Sequence, residues 1–286
     1  MKRNQISVTA QGIAFARAYE SGKPEGERIC YDPLARSMMS PAFYLLCRLF
    51  AGYAEKKGPG VIGYLTVRCR YIDDVLQERI ASGIQQLVIL GAGLDSRPYR
   101  FEALKGSIKT FEVDSPATQS AKLARLKDIF GAIPAHVTYV PVDFNEETLA
   151  KLNDFGFDCS LKTLFIWEGV VFYLIPEAVD RTLEFVLQNS SPGSSIVFDY
   201  IYTSALTAAQ KRPEVTRMQR ANLFIGEGLT FGIEEGTIES FLRKRGFTVL
   251  EHMTSQDLHQ RYFTGPNQSR TVAPVYAIVH ACSYPH

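Results

Sequence analysis

The sequence is poor in cysteine, and the cysteines it has follow no pattern. Five of them are spread over 286 residues, and no two form a Cys-x-x-Cys pair. A disulfide framework or a structural zinc site requires paired or closely spaced cysteines, so the sequence predicts reduced thiols. The five histidines are scattered and form no His-Glu-x-x-His motif, so we expect no metal site.

The chain also lacks an excess of charge of one sign and lacks long apolar runs. Lysine and arginine total 31 against 30 acidic residues, a formal net charge of +1. Nucleic-acid-binding proteins and polybasic membrane anchors usually show a basic excess or cluster. No run approaches the roughly 18 apolar residues of a membrane-spanning helix, and the N-terminus has no apolar signal region. We therefore expect a cytoplasmic protein with neither a nucleic-acid nor a membrane partner.

What the sequence does contain is an alternation of short apolar runs with helical stretches. Hydrophobic residues make up 46% of the chain, enough for a sizeable core. Short buried strands that alternate with helices predict a parallel sheet covered by helices on both faces. The apolar runs are residues 86–90, 110–113, 137–140, 163–167 and 195–198, and helical patterns cover 61–80, 115–130 and 176–188.

The last third departs from this alternation. Residues 204–225 have helical character without a clean apolar stripe, and we interpret them as an insertion that covers one end of the sheet. A helix at 238–246 ends at a glycine. Two further apolar runs, 247–250 and 275–279, predict closing strands that form an antiparallel edge.

Two glycines follow the first predicted strand directly. Gly91 and Gly93 stand where that strand turns toward a helix, and a glycine allows a tight turn and close approach of a ligand. In an open α/β sheet this is the edge at which ligands bind. Ser96 occupies the place of the third glycine in a dinucleotide fingerprint, and no phosphate-loop lysine follows. A strand-to-helix turn without a ligand remains the alternative.

Acidic residues end the next two strands. Glu112 and Asp114 lie about 20 residues after the glycines, where a carboxylate can accept hydrogen bonds from a ribose. The alternative is an acidic cap for the helix that follows. After the third strand, Asp143 can accept from the amine of an adenine while Phe144 packs on its ring. A loop aspartate without a ligand is the alternative there.

Two further charged residues are predicted to lie at the carboxyl ends of the strands. Glu168 ends the fourth strand, where a buried carboxylate without partners would be costly, which favours a functional reason. Arg68 lies in the helix before the first strand and could bind a ligand carboxylate through both arms of its guanidinium. A surface ion pair with Asp73 or Asp74 is the alternative for Arg68.

In this order, the motifs closely resemble the leucine carboxyl methyltransferase family, and more narrowly its microbial branch of small-molecule O-methyltransferases, including those of polyketide biosynthesis. The resemblance covers nearly the whole chain. The residues that carry it are the Thr-Ala pattern of 9–18, Asp-Pro-Leu-Ala at 32–35, Val-Arg-Cys-Arg at 67–70, Gly-Ala-Gly-Leu-Asp-Ser-Arg at 91–97, Phe-Glu-Val-Asp at 111–114, Val-Asp-Phe at 142–144, Trp-Glu-Gly-Val at 167–170, and Phe-Gly-Ile at 231–233.

The resemblance implies a class I methyltransferase fold, a Rossmann-like α/β sheet that is mostly parallel, and S-adenosylmethionine as cofactor, with S-adenosylhomocysteine as product. Arg68 would bind the methionine carboxylate, Glu168 would line its amine, and Gly91 and Gly93 would approach the methionine and ribose. The remaining implied cofactor contacts are Arg17, Asp95, Glu112, Asp114, Asp143 and Phe144.

A single methyltransferase domain follows from the resemblance, with four parts. Residues 1–83 form a helical cap with the arginine helix, 84–203 the cofactor-binding core, 204–235 a cap insertion, and 236–286 the closing strands. Phe224, Ile225, Leu229 and Phe231 would roof a flat, apolar acceptor pocket, or else pack in the core.

For the reaction, we expect methyl transfer to a small-molecule carboxylic acid or phenol. Tyr173, Tyr200 and Arg270 are the candidate catalytic residues, and Asp199 and Tyr202 also follow the relevant strands. A carboxylate acceptor needs no strong base, whereas a phenol would be helped by one. A protein C-terminal carboxyl methyltransferase, a nicotinamide-dependent oxidoreductase and a non-catalytic nucleoside-binding protein are the alternatives.

Overall fold

A seven-stranded sheet forms the centre of the protein. The computed structural model describes residues 8–209 and 228–283. The spatial order of the strands is β3-β2-β1-β4-β5-β7-β6; the first five run parallel, and β7 is antiparallel to both of its neighbours. The strands are β1 (Gln86–Leu90), β2 (Lys109–Asp114), β3 (Val137–Pro141), β4 (Thr163–Trp167), β5 (Ser195–Ile201), β6 (Phe247–Thr254) and β7 (Tyr276–Ser283).

The closing strands pair antiparallel as predicted, but the antiparallel strand β7 is not the edge strand. It inserts between β5 and β6, and β6 forms the edge. The reason lies in the side chains. Ala277, Ile278 and Val279 of β7 are fully buried, which suits a strand covered on both faces. Strand β6 mixes buried with exposed positions, including exposed Thr248 and Leu250, as an edge strand can.

Helices cover both faces of the sheet. An apolar stripe places Tyr64, Tyr71 and Ile72 of helix α4 against the sheet, and Gly83, in the left-handed conformation, follows its end. The helices are α1 (Val8–Ser21), α2 (Ala35–Met38), α3 (Pro41–Lys57), α4 (Val61–Ala81), α5 (Arg97–Arg100), α6 (Pro116–Phe130), α7 (Pro176–Gln188), α8 (Thr203–Ala209), α9 (Ile238–Arg243) and α10 (Ser255–Tyr262).

The N-terminal helices form a separate layer beside the carboxyl ends of the strands. Helices α1, α2 and α3 share an apolar cluster that includes Ala14, Phe15, Met38 and Leu94, the last from the turn after β1. A bidentate ion pair fixes α1 to the far end of the chain, because Arg270 donates to both carboxylate oxygens of Glu20 at 2.7 and 2.9 Å. The ion pair thereby joins two parts of the chain that are 250 positions apart.

The predicted cap insertion is only partly described. Residues Thr203–Ala209 are helical, and Phe231 packs in the main core with 8% of its surface exposed. Phe224 and Ile225 lie outside the described residues. Within the described ranges, no helix has the length and apolar character needed to cross a membrane.

Candidate functional site

The candidate site is a pocket at the carboxyl ends of β1, β2, β3 and β4. Its volume is about 220 Å³, and α1 forms the wall opposite the strands. The polar and glycine residues that line it are Thr9, Arg17, Gly91, Gly93, Asp95, Asp114, Ser115, Thr118, Asp143, Asn145, Glu168, Gly169 and Tyr173. Eight of the ten residues predicted to bind cofactor therefore meet at one cavity; Arg68 and Glu112 are not among its lining.

The turn after β1 forms the floor of this cavity. Gly91 and Gly93 both have positive φ, +68° and +44°. A Cβ at Gly91 would lie 2.2 Å from a methyl carbon of Val170, so only glycine fits there. At Gly93 a Cβ would lie 3.4 Å from Ala10 of α1, which is an ordinary contact. Gly91 thus lets two loops meet beneath the cavity, and Gly93 keeps its backbone open to it.

Asp114 ends β2 and faces the same turn. Its two carboxylate oxygens accept hydrogen bonds from the backbone N–H groups of Gly93, at 2.5 Å, and Ser115, at 2.6 Å. Burial raises the pKa of Asp114, and the two N–H groups oppose that rise. Each oxygen keeps a further lone pair, so Asp114 can still accept from a ligand hydroxyl.

The loop after β3 supplies a polar and an aromatic residue. Asp143 is held in its turn by accepting from the N–H of Asn145 at 3.0 Å, while its own N–H donates to Glu147 at 2.8 Å. Phe144 packs partly against the main core, and the cavity reaches its remaining surface. A flat ring could therefore rest on Phe144 with Asp143 beside it.

Glu168 ends β4 and lies between two buried arginines. One of its oxygens accepts from Nε of Arg68 at 3.0 Å, and the other accepts from Nη1 of Arg97 at 2.7 Å. Burial alone would raise the pKa of Glu168, but the two guanidinium groups hold it below the usual value. Glu168 is therefore an ionised carboxylate in the cavity wall.

Arg68 lies directly behind that wall. It is 1% exposed, because it projects from the buried face of α4, and its Nη1 donates to Asp199 at 2.6 Å. Asp199 also accepts from the N–H of Gly169 at 2.6 Å, so it fixes both the arginine and the loop after β4. The surface ion pair with Asp73 or Asp74 that the spacing allows does not form; Arg70 pairs with Asp74 instead.

One nitrogen of Arg68 has no hydrogen-bond partner among the described residues. This atom, Nη2, is buried, and a Cβ placed on Gly169 would lie 3.4 Å from it. Gly169 itself lines the cavity. An unpaired guanidinium nitrogen under a glycine of the cavity wall is suited to a ligand carboxylate.

Arg97 is a charged residue of the site for which we predicted no role. It is fully buried and donates to Asp95 at 2.5 Å, to Glu168 at 2.7 Å and to Asp73 at 2.7 Å. Through these contacts it joins two carboxylates of the cavity wall to helix α4. Burial alone would raise the pKa of Asp95, but Arg97 lowers it below its ordinary value. Arg97 does stand in the glycine motif, which is the one signal that could have pointed to it.

Arg17 and Glu112 differ in their relation to the cavity. Arg17 of α1 lines it, pairs with Asp32 at 3.0 Å, and donates to the carbonyl of Leu94 at 2.6 Å. Glu112 lies within β2 and does not line the cavity; its Oε1 accepts from Lys122 at 2.8 Å and from Tyr99 at 2.9 Å. Burial raises the pKa of Glu112 to about 7, despite the opposing effect of Lys122. Its Oε1 therefore has protein partners, whereas its Oε2 is buried without a hydrogen-bond partner among the described residues.

Of the three candidate catalytic residues, only Tyr173 lines the cavity. Tyr200 is buried on β5, and its hydroxyl shares a 2.9 Å hydrogen bond with His252. Arg270 is occupied by Glu20. Successive residues of a strand point to opposite faces, so Asp199 reaches Arg68 while Tyr200 points the other way. The cavity thus gives no support to catalytic roles for Tyr200 and Arg270.

Within the described ranges, no group of three or more histidine, cysteine or acidic side chains is placed to hold a metal ion. The polar groups at the cavity are carboxylates, hydroxyl and amide side chains, the lining arginine Arg17 with Arg68 behind the wall, and backbone N–H groups. Such a set can bind an organic ligand that carries hydroxyl, amine and carboxylate groups.

Comparison with known proteins gives one matching family and many relatives. A family profile described as leucine carboxyl methyltransferase matches residues 10–187. YktD of Bacillus subtilis, whose name describes an S-adenosyl-L-methionine-dependent methyltransferase, is 29% identical over 98% of this chain and 99% of its own length. A relative from Mycolicibacterium vanbaalenii, whose name describes the same activity, is 30% identical over 95% of this chain and 92% of its own.

Solved structures agree on the fold. A protein from Thermobifida fusca that is described as a methyltransferase has a TM-score of 0.61 at 15% identity, over 98% of this chain and 96% of its own. A DUF574 family protein from Streptomyces avermitilis has a TM-score of 0.61 at 13% identity, over 94% of this chain and 96% of its own. The α/β methyltransferase fold predicted from the sequence is confirmed.

Proposed function

Because the chain belongs to the leucine carboxyl methyltransferase family and is an S-adenosylmethionine-dependent methyltransferase, we propose that it methylates an oxygen atom of a small molecule, and specifically a carboxylate. The choice of acceptor rests on one observation, which is that the acidic residues of the cavity are already paired. Each of the four carboxylates among the described lining residues already has a cationic or backbone N–H partner.

That state disfavours acceptors that need a base. An amine is protonated at neutral pH and a phenol is largely neutral, so both must lose a proton for transfer. Glu168 and Asp95 are held ionised by Arg97, and a proton on either would weaken a buried ion pair. A carboxylic acid is already ionised, so it meets the requirement without help from these groups.

The cofactor fits the residues present. We place the methionine carboxylate at Nη2 of Arg68, a buried guanidinium nitrogen that lacks a hydrogen-bond partner among the described residues. The ionised Glu168 suits the methionine amine, and Asp114 has lone pairs for the ribose hydroxyls. Asp143 and Phe144 would address the adenine, while Gly91 and Gly93 let the backbone approach the ligand.

The other predicted contacts have lesser parts in this proposal. Arg17 and Asp95 line the cavity and shape it through their ion pairs with Asp32 and Arg97. Glu112 would act from behind, by holding Lys122 next to the carbonyl of Ala92, to which Lys122 donates at 3.4 Å. Arg17 is the only described cation among the lining residues, and it already has partners.

The bound cofactor supplies an electrophilic methyl group: an acceptor oxygen forms its bond to carbon as the carbon–sulfur bond breaks, and the sulfur keeps the electron pair. The leaving group is already good, so the protein mainly has to align the reactants, an effect worth up to about 7–11 kcal/mol of barrier. With a carboxylate acceptor no proton has to move. The protein's contribution is then alignment and exclusion of water by the wall that α1 forms.

Tyr173 is the residue we assign to the acceptor. It lies on the turn after β4, beside Val170 and Leu174, which give the cavity an apolar side. Its phenol can donate to an acceptor oxygen without taking a proton from it. We propose the same four-part organisation of the single domain, in which the described residues within 1–83 and 204–235 form the cap over the acceptor.

The test is a screen of carboxylic acids, phenols and amines with the purified full chain and methyl-labelled S-adenosylmethionine. We expect label in products from carboxylic acids, and we expect mild alkali to release it as methanol because methyl esters hydrolyse readily. Phenol ethers and methylamines survive the same treatment. Alkali-stable label would contradict the choice of a carboxylate acceptor while leaving methyl transfer intact, whereas failure to bind S-adenosylhomocysteine would contradict the placement of the cofactor.

A further inference from the structure

Helix α3 exposes an unusual amount of apolar surface. Five large side chains on it have exposed fractions from 53% to 72%: Leu45, Leu46, Leu49, Phe50 and Tyr53. At about 100° per residue, four of these, 45, 46, 49 and 53, fall within one face of the helix. The opposite face packs on α1 and α2 through residues such as Tyr44, Cys47 and Ala51. The exposed stripe is therefore a true outward face, not a loosely packed part of the core.

The charged residues of α3 are distributed asymmetrically around this stripe. Lys56 and Lys57 are exposed at the end of the stripe, and Lys57 lies 5.9 Å from the ring centre of Tyr53. Arg48 is exposed at its flank. The single acidic residue of the helix, Glu55, is turned inward and accepts from the N–H of Gly60 at 2.7 Å. The face therefore combines leucine and aromatic side chains with basic groups only.

We propose that α3 docks the protein onto a lipid surface that carries negative charge. A helix with leucine and aromatic residues on one face, bordered by lysine and arginine, has the composition of helices that lie in the plane of a lipid interface. The apolar side chains would enter the boundary between headgroups and acyl chains, and the basic groups would remain among the anionic headgroups. The whole-chain charge of +1 conceals this local concentration of basic groups.

A second copy of the chain fits the same face less well. In a two-fold contact the same patch meets itself, so both copies would present Arg48, Lys56 and Lys57. The single acidic residue of the helix, Glu55, already accepts from the N–H of Gly60, so the face offers these basic groups no exposed acidic partner. A surface of anionic headgroups meets the same basic groups with the opposite charge, which is why we favour it.

The position of α3 relates this surface to the cavity. Tyr44 of α3 packs on Phe15 of α1 with ring centres 5.9 Å apart, and α1 contributes Ala10, Ile13 and Arg17 to the cavity wall. A lipid surface on α3 would thus be separated from the cavity by a single helix. Docking is independent of the proposed reaction, since it can be measured without cofactor or acceptor.

The test is co-sedimentation of the full chain with vesicles of phosphatidylcholine alone or with about one third phosphatidylglycerol. We expect binding to the anionic vesicles. Leu49→Glu should weaken it at least tenfold, because it places a charge in the apolar boundary. Lys56→Gln with Lys57→Gln should weaken it about 25-fold, from about fivefold per lysine. Leu250→Glu, which alters a 46%-exposed leucine on β6, is the matched control and should bind like the native chain.

A second readout reports depth of insertion. The chain has one tryptophan, Trp167, which is fully buried, so Tyr53→Trp introduces the only exposed indole. Lipids brominated on their acyl chains should quench its fluorescence in anionic vesicles. Three results would overturn the proposal: no binding of the native chain to anionic vesicles, equal binding of Leu49→Glu, or a dimer in light scattering that Leu49→Glu converts to monomer.

Discussion

Two buried arginines hold the carboxylates of the cavity wall in position. Arg68 holds Glu168 and Asp199, while Arg97 holds Glu168, Asp95 and Asp73. A planar guanidinium can donate to several carboxylates from one fixed position, which an ammonium cannot do. Since a buried charge that loses its partner is strongly destabilising, these residues hold their geometry only as a set.

Arg97→Lys tests whether this set positions the cofactor site. Lysine keeps the charge but cannot reach all three carboxylates, so Glu168 and Asp95 should lose their fixed positions. We expect the affinity for S-adenosylhomocysteine to fall about tenfold or more, which is about 1.4 kcal/mol. Isothermal titration calorimetry measures this affinity directly. Cooperative unfolding of the variant shows first that it is folded.

Arg100→Lys is the matched control for that variant. Arg100 lies in the same short helix, is half-buried, and contacts the carboxylate of Asp73 but no acidic residue of the cavity wall. Its replacement should leave the affinity within about twofold. Equal losses in the two variants would mean that Arg97 acts only by stabilising the fold.

Tyr173→Phe tests the acceptor side of the cavity. The variant removes one hydroxyl and keeps the ring that packs 4.7 Å from that of Phe172. A lost hydrogen bond to a charged acceptor is worth about 1.5–3 kcal/mol, so kcat/KM should fall roughly tenfold to a hundredfold. The dissociation constant of S-adenosylhomocysteine should not change; a parallel loss of cofactor affinity would assign Tyr173 to the cofactor instead.

At this scale the sequence allowed us to predict residues that end strands but not the partners that hold them. Asp114 and Glu168 follow apolar runs, so their place at one edge follows from strand direction alone. The contacts of Arg68 with Asp199 and of Arg97 with Asp73 join residues 131 and 24 positions apart. Which way such side chains turn depends on helix orientation across the sheet, and no local pattern contains that information.

Among the elements, the turn after β1 is the most tightly constrained. It leaves the strand at Gly91, returns through Gly93, and receives Asp114 from β2 and Val170 from the loop after β4. Three strands therefore fix one loop, and the loop in turn shapes the cavity floor. An added methyl group at Gly91 has to move one of these neighbours, because it would overlap the Val170 side chain.

Gly91→Ala should therefore lower both stability and cofactor affinity. Left-handed backbone costs a residue with a Cβ about 1–2 kcal/mol, and the clash at 2.2 Å adds about 1–3 kcal/mol of overpacking. Urea unfolding would measure the first effect and calorimetric titration with S-adenosylhomocysteine the second. Adding Val170→Ala to Gly91→Ala should restore part of the stability lost to the clash but none of the stability lost to backbone strain.

Gly83→Ala separates the two contributions. Gly83 has a φ of +79°, close to that of Gly91, but nothing lies within 4 Å of the Cβ it would gain. Gly83→Ala should lower the free energy of unfolding by only about 1–2 kcal/mol, from backbone strain, and should keep full affinity for S-adenosylhomocysteine. A stability loss as large as that of Gly91→Ala would show that contact with Val170 is unimportant.

The order of the closing strands was the part of the sheet that the sequence left open. Both 247–250 and 275–279 are apolar runs, so both were predictable as strands. Their order depends on which strand has both faces covered, and β7 does because helices and β5 enclose Ala277, Ile278 and Val279. For β1 to β5 the order was easier to predict, because each of these apolar runs is followed by a crossover connection.

At the scale of the whole molecule, the cavity depends on contacts between distant parts of the chain. The wall that α1 forms is fixed by the pairing of Glu20 with Arg270, 250 residues away, and of Arg17 with Asp32. Burial alone would raise the pKa of Glu20, but Arg270 lowers it below the usual value. These pairs stabilise the closed arrangement of the N-terminal layer over the strand ends.

A buried histidine on strand β7 makes the stability of the fold depend on pH. His280 is 3% exposed, and burial lowers its pKa to about 4, a shift to which nearby Arg79 adds. An unfolded histidine has a pKa of about 6.5. Below that value the unfolded chain binds a proton that the folded chain rejects, so the contribution of neutral His280 is complete above pH 6.5 and is lost progressively down to about pH 4.

His280→Leu should remove this dependence. Between about pH 7 and pH 4.5, the free energy of unfolding of the native chain should fall by about 2 kcal/mol more than that of the variant. Urea unfolding at the two pH values gives four free energies, and their double difference cancels any packing change that leucine introduces. A double difference near zero would mean that His280 titrates in the fold as it does in water. The acid sensitivity of the sheet would then have to come from carboxylates such as Glu168 and Glu20, whose pKa values their arginine partners lower.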